Sequence, residues 1–177
     1  MKKTDNSEID NILKDLPANI ITLFKGSLDT GNVKLKLKSR KTLVRMGKGI
    51  LPQLHKLSAS EIVSIRMEAA KILELIADRR SVYEFIRLLE DHEFDIRWIA
   101  AEGLIKIGRR TIRPLTEAVR DGENSIVLNE GAHHVLTALL NETEKQKEES
   151  FLLSLENFHT LGGTAPLEAS AVLEKQN

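Results

Sequence analysis

The chain has 177 residues, 41% hydrophobic and 29% charged, with no cysteine and a formal net charge of zero. That is enough apolar material for one domain or one short repeat array; the missing thiols exclude a disulfide framework and Cys-ligated zinc or iron–sulfur chemistry. The charge is unevenly spread: residues 1–60 carry 12 Lys+Arg against 5 Asp+Glu, residues 61–120 carry 11 against 11, and residues 121–177 carry 3 against 10.

From the start, Met1 to Glu8 runs through two lysines into acids with no apolar stretch behind them, which is not the pattern of a secretory signal. No apolar run approaches the ~18 residues a membrane span needs, so a cytoplasmic chain without membrane contact is expected. Ile9, Leu13 and Leu16 begin a weak helical stripe within residues 1–30, expected to form capping helices. Leu35, Ser39, Thr42, Leu43 and Met46 then mark one helix face, closed by Gly47, with a second apolar segment from Ile50 to Leu57. The segment Ile65 to Ala77 makes the next helix, followed by Val82 to Leu89. Ile96 to Gly108 and Ile112 to Val119 repeat the pair, and Leu128, Ala132, Val135, Leu136 and Leu139 open another. Pro52 and Pro114 suit the first turn of a second helix, where no N–H is needed; Gly47 and Gly108 suit helix C-terminal caps. After Leu140 comes a polar stretch, residues 141–149, then the apolar face Phe151, Leu152, Leu155 and Phe158. Gly162 and Gly163 break the chain before a last helix near Ala165-Pro166, in which Ala169, Val172 and Leu173 share a face and Leu167 also calls for burial. There is no alternating strand pattern, so the fold is all-α.

The first helices superimpose on one another. Shifting Ile65–Ala77 by 31 residues aligns it with Ile96–Gly108, with identities at Ile, Arg, both alanines, Leu and Ile. The copies beginning at Leu35, Ile65, Ile96 and Leu128 share apolar or small residues at positions 0, +4, +7, +8 and +11, one stripe at about 3.6 residues per turn. Paired helices with Ile-Arg, then Ala-Ala, Leu and Ile-Gly resemble HEAT repeats, and the short period is closest to the phycobilisome-lyase variety. The resemblance covers residues 30–140 well and both ends loosely. It implies a single domain over residues 1–177, a right-handed α-solenoid of HEAT-like hairpins with about four repeats. Residues 31–140 are its core, and residues 141–177 a variant repeat or cap. One repeat cannot bury its own stripe, so neighbours must stack; the basic and acidic thirds then fall at opposite ends of a rod.

At about 100° per residue, position +2 lies opposite the core stripe. It holds Leu37, Met67 and Trp98 in successive repeats and Glu130 in the fourth; position +9, also outward, holds Val44, Glu74, Ile105 and Thr137. Leu37, Met67, Trp98 and Ile105 are the candidate partner-binding column, unless terminal helices fold over it. Position +1 holds Lys36, Arg66, Arg97 and Asn129, and an arginine there is expected to satisfy fixed acceptors of the adjoining repeat. Lys48, Arg79, Arg80, Arg109, Arg110 and Arg113 fall in or near the inter-helix turns and would form a basic edge. No aromatic interleaves them to stack on bases, so nucleic acid is possible but less favoured than a solvated edge.

Glu130 and His134 form an i, i+4 pair beside His133. Adjacent histidines point about 100° apart on a helix, too few ligands converge for a metal, and no metal or other cofactor is expected. Deoxyhypusine hydroxylase, a HEAT-like di-iron enzyme, carries His-Glu dipeptides after the repeat arginine; the matching positions here hold Met67-Glu68 and Trp98-Ile99. No phosphate-cradling glycine loop, serine nucleophile motif or HExxH is present. The reading is a non-catalytic protein–protein scaffold or adaptor whose partner is another protein. A phycobilin-lyase-like enzyme or chromophore chaperone, and nucleic-acid binding through the basic edge, are the alternatives.

Overall fold

Each apolar stripe forms a helix in the computed structural model, which describes residues 6–122, 125–156 and 164–175. In chain order these are α1 (Asn6–Leu13), α2 (Ala18–Leu28), α3 (Val33–Met46), α4 (Leu51–Leu57), α5 (Val63–Ile76), α6 (Val82–Leu88), α7 (Phe94–Ile107), α8 (Ile112–Asp121), α9 (Ile126–Leu139), α10 (Glu142–Lys147), α11 (Glu149–Glu156) and α12 (Ala165–Lys175). No strand occurs among the described residues, and the chain is all-α. Short 3-10 turns, Gly47–Ile50, Arg79–Ser81 and Arg109–Thr111, lead into the second helices α4, α6 and α8. The chain divides into two units, residues 1–78 and residues 79–177.

In the first unit α2 lies along α3, and α3 and α4 both pack on α5. Gly26 of α2 lets the two backbones approach, since a Cβ there would stand 2.4 Å from Ser39 Oγ. Leu13, Phe24, Leu43, Leu54, Ile65, Ile72 and Leu73 are buried between these helices. Asn32 caps α3, its Oδ1 accepting from Leu35 N–H at 2.9 Å. Where α3 meets α5, Arg40 donates from Nε to one Glu68 oxygen at 2.8 Å and from Nη2 to the other at 2.6 Å. Glu68 is buried, and its hydrogen bond and charge raise the pKa of Arg40, outweighing the burial that lowers it.

In the second unit the first helices α7, α9 and α11 lie side by side, and the second helices α6 and α12 flank α8. The last pair therefore stacks as a repeat would, α11 on α9 and α12 on α8. Gly103 admits the Phe85 ring, whose Cζ lies 2.5 Å from the place of a Cβ. Positions 0, +4, +7 and +8 of the expected stripe are buried on α5, α7 and α9, namely Ile65, Ala69, Ile72, Leu73, Ile96, Ala100, Gly103, Leu104, Leu128, Ala132, Val135 and Leu136, while Ile76, Ile107 and Leu139 at +11 are half-buried. Three expectations fail. Leu35, in the first turn of α3, is 41% exposed beside the gap between α2 and α3. Glu74 faces inward, buried, with Lys71 Nζ 2.6 Å from its carboxylate. Leu167 is 71% exposed because Ala165, Ala169, Val172 and Leu173 take the buried face of α12. Phe158, Gly162 and Gly163 lie outside the described residues.

The two repeat arginines hold the loops between repeats. Arg66 Nη1 donates to the carbonyls of Ser60 and Glu61 at 2.8 and 3.3 Å, and Arg97 Nη1 to those of Asp91 and His92 at 2.9 and 3.2 Å. The acceptors belong to the loop entering the arginine's own helix, and a fixed guanidinium fork suits two successive carbonyls. Asn129 stands at the same position, buried; the matching carbonyls, of residues 123 and 124, lie outside the described residues.

Helix ends differ in one informative way. Gly47 and Gly108 cap α3 and α7 with φ of 55° and 86°, but α5 ends on Ala77 at φ 49°. A Cβ is disfavoured there, so Ala77→Gly should raise stability by about 0.5–1 kcal/mol, or about 1–4 °C in Tm; an unchanged or lower Tm would show the strain is absorbed. Arg40→Ala leaves a buried carboxylate unpaired and should lose about 3 kcal/mol in urea unfolding, most of it regained in Arg40→Met/Glu68→Leu. A loss under about 1 kcal/mol would class the pair with surface bridges.

Candidate interaction site

The indole of Trp98 is 50% exposed and Phe94, one turn before it on α7, is 64% exposed. Spacing i, i+4 puts them on one face of the helix, with ring centroids 6.4 Å apart in a stacked arrangement. From the neighbouring α9 the His134 ring meets Trp98 at 4.9 Å. A groove of about 210 Å³ opens between the two helices, lined by Phe94, Arg97, Trp98, Ala101, Val127, Glu130, Gly131 and His134. One wall is ordered from below, because Arg97, held by its two loop carbonyls, lies 5.6 Å over the Phe94 ring. Opposite, His134 Nε2 stands 3.2 Å from Glu102 Oε1.

Small residues, Ala101 and Gly131, line the groove where α7 crosses α9. Counting from the first stripe residue of each helix, Ala101 and Gly131 sit at +5 and +3, the places held by Arg40 and Glu68 where α3 meets α5. An ion pair fills that crossing in the first unit; an alanine and a glycine line an open groove in the second.

Of the candidate column, Trp98 and Ile105 belong to α7, where Ile105 is half-buried and does not line the groove. Leu37, 56% exposed, and the half-buried Met67 belong to the first unit. Phe94 lies outside the expected column, whose positions are numbered from Ile96; its i−4 spacing from Trp98 is the signal that finds it. Glu130 and His134 both line the groove, and the closest carboxylate contact of the imidazole is Glu102, one helix away. Among the described residues no three His, Asp or Glu side chains are grouped to hold a metal.

The basic-edge residues Lys48, Arg79, Arg80, Arg109, Arg110 and Arg113 are all exposed. Arg113 and Arg109 are matched by acids. Arg113 Nε donates to Glu117 at 3.0 Å. Arg109 donates through Nη1 to the Leu139 carbonyl at 2.9 Å and to Glu144 at 3.0 Å, and through Nη2 to the second Glu144 oxygen. Glu144 also accepts from the Asn141 N–H in the capping box that starts α10.

A family model described as HEAT repeats matches residues 49–144, just over half of the chain. No curated protein matches the chain. Among the described residues no helix is long and apolar enough to cross a membrane.

The Arg109 hydrogen bond, then the Asn141 N–H, hold the Glu144 carboxyl below the usual carboxylate range. A depressed folded-state pKa gives stability that is present above the ordinary value, about 4.3, and lost as pH falls through the folded one. Amide protection in α10 should therefore fall on acidification below that range and be pH-insensitive in Glu144→Gln. Equal acid sensitivity in both would show that α10 is held by other contacts.

Proposed function

The chain belongs to the HEAT-repeat family, and from that premise we propose that it is a non-catalytic adaptor whose principal contact is the Trp98 groove. HEAT repeats commonly serve as protein-interaction scaffolds, because stacked helix pairs present long surfaces of fixed shape. The observation that carries the proposal is the half-exposed indole set in an open groove between two first helices. Tryptophan is highly buried on average, and large aromatics are the side chains on which interfaces concentrate their energy. A groove of about 210 Å³ accepts one or two apolar side chains of a partner. Phe94 extends the apolar rim, Ile105 lies two turns along α7, and Leu37 and Met67 offer the same repeat positions in the first unit. The exposed Arg79 and Arg110 of the second unit would steer an acidic partner, raising the rate of encounter more than the final affinity. The cytoplasm is the compartment we assign to this activity.

The test is Trp98→Ala beside wild type in affinity capture from native lysate. Half of the indole already meets water, so the variant should keep its helical content and lose about 1 kcal/mol or less. A specific protein captured by wild type should be depleted at least about tenfold with the variant. A loss of several kcal/mol would make Trp98 a core residue, and equal capture by both proteins would place the contact elsewhere.

A further inference from the structure

Helix α3 carries cations without acids: Lys34, Lys36, Lys38, Arg40, Lys41, Arg45 and, just beyond it, Lys48. Arg40 is taken up by Glu68. Lys34, Lys38, Lys41, Arg45 and Lys48 are exposed. Among the described residues none of the five joins an ion pair, whereas Lys25–Asp10, Arg40–Glu68, Lys56–Asp15 and Lys71–Glu74 do pair in the first unit.

Four of these cations, Lys34, Lys38, Lys41 and Arg45, follow the steps i, i+4, i+7 and i+11 within α3 and form one stripe, and Lys48 lies beyond the Gly47 cap. With Val33 as origin and about 100° per residue, these four span about 80–140° of the helix and Val33, Val44 and Leu37 span about 0–40°. Val33 and Leu37 are exposed and Val44 is half-buried. Arg40 falls on the far side of the apolar stripe from the lysines and reaches α5 through Glu68. The apolar stripe therefore lies between a row of unpaired cations and the neighbouring helix, on which Met67 precedes Glu68.

We propose that this face of α3 docks an amphipathic helix of a partner protein, with acids on one stripe and aliphatic side chains on the next. The cations require a run of carboxylates at helical spacing, and the stripe beside them requires apolar groups in the same register; helix-in-groove recognition supplies both at i, i+4, i+7 intervals. From residue 34 to residue 45 the stripe is about 17 Å long, or about three turns of a partner helix. A nucleic acid would meet the cations but leave Val33 and Leu37 uncovered, with no aromatic in α3 to stack on its bases. A bilayer surface calls for apolar residues at the crest with exposed lysines on both flanks; here the exposed cations of α3 lie on one flank, while on the other Arg40 is held by Glu68 and Lys36 is half-buried. The inference rests on the reading of the chain as a protein-binding scaffold, but it concerns a surface in the unit that lacks Trp98.

The probe is a synthetic, lactam-bridged helix of about 16 residues, with Glu along one stripe and Leu along the adjacent one, labelled for fluorescence anisotropy with the full chain. Wild type and Trp98→Ala should bind it alike. Lys34→Glu/Lys41→Glu should weaken binding by at least about tenfold, Leu37→Ser by severalfold, and ~0.5 M salt should weaken it strongly. If the first double variant fails to fold, Lys38→Glu/Arg45→Glu carries the same expectation. The proposal is overturned by absent binding at low salt, by indifference to charge reversal, or by indifference to Leu37→Ser. Tighter binding of phosphatidylserine vesicles or of duplex DNA than of the peptide would overturn it too. Failure of the peptide while Trp98-dependent capture persists would sink this inference alone; peptide binding without such capture would sink only the Trp98 site.

Discussion

A helix pair of this kind can bury only one side of its first helix by itself, and the rest of the structure follows from what covers the other flank. The repeated stripe puts Ile65, Ala69, Ile72 and Leu73, and their counterparts thirty-one residues on, against the second helices. The flanks must then be closed by the next first helix, which is why α7, α9 and α11 lie side by side. Small residues allow the approach: Ala69 and Ala70 on α5 and Ala100 and Ala101 on α7 are buried. Gly131 of α9 leaves room for the Leu89 side chain, 2.8 Å from the place of its Cβ. A larger residue at any of these places would push the helices apart and open the core. The arginine fork at Arg66 and Arg97 completes the device by holding the loop through which one pair passes to the next.

This constraint explains what the sequence could and could not disclose. Period alone identifies which face is buried, and it places the stripe, the glycine caps and the second helices with few errors. It says nothing of which neighbour covers the flanks. Leu35 begins a stripe yet is partly open, because α2 reaches α3 chiefly along Gly26 and Ser39. Glu74 stands at an outward angle yet is buried, since Lys71 and the Arg40–Glu68 pair gather charge around it. The partners of His134 and Arg109 are 32 and 35 residues away in sequence, on other helices, and no local spacing announces them. Phe94 was legible, one turn before Trp98, but only once the helix is allowed to begin before its stripe.

The charge asymmetry also changes meaning at the level of side chains. In the acidic last third much of the charge is internally spent, Glu144 on Arg109, Glu142 on Lys145 and Glu148 on Lys175. In the first third Lys25 and Lys56 are matched by Asp10 and Asp15, but of the α3 run only Arg40 has an acid partner among the described residues. Unpaired like charges along one helix repel one another by a few tenths of a kcal/mol per neighbouring pair. A row of them with no compensating stability is therefore a surface whose energy is lowered by an acidic partner.

The two crossings of first helices show how one scaffold acquires different surfaces. At positions +5 and +3 the first unit places Arg40 and Glu68, a pair that closes the crossing and holds α3 with its cations facing out. The second unit places Ala101 and Gly131, small residues that line the groove framed by Phe94, Trp98 and His134. Filling a crossing with a bidentate pair removes its apolar recess and leaves the outer stripe as the means of contact; emptying it creates a recess that aromatic side chains can line. The fold tolerates both because the buried stripe, one helix face away, is unaffected by the exchange. Stability and recognition are thus carried by different faces of the same helices, and the residues that separate the two functions are the small ones.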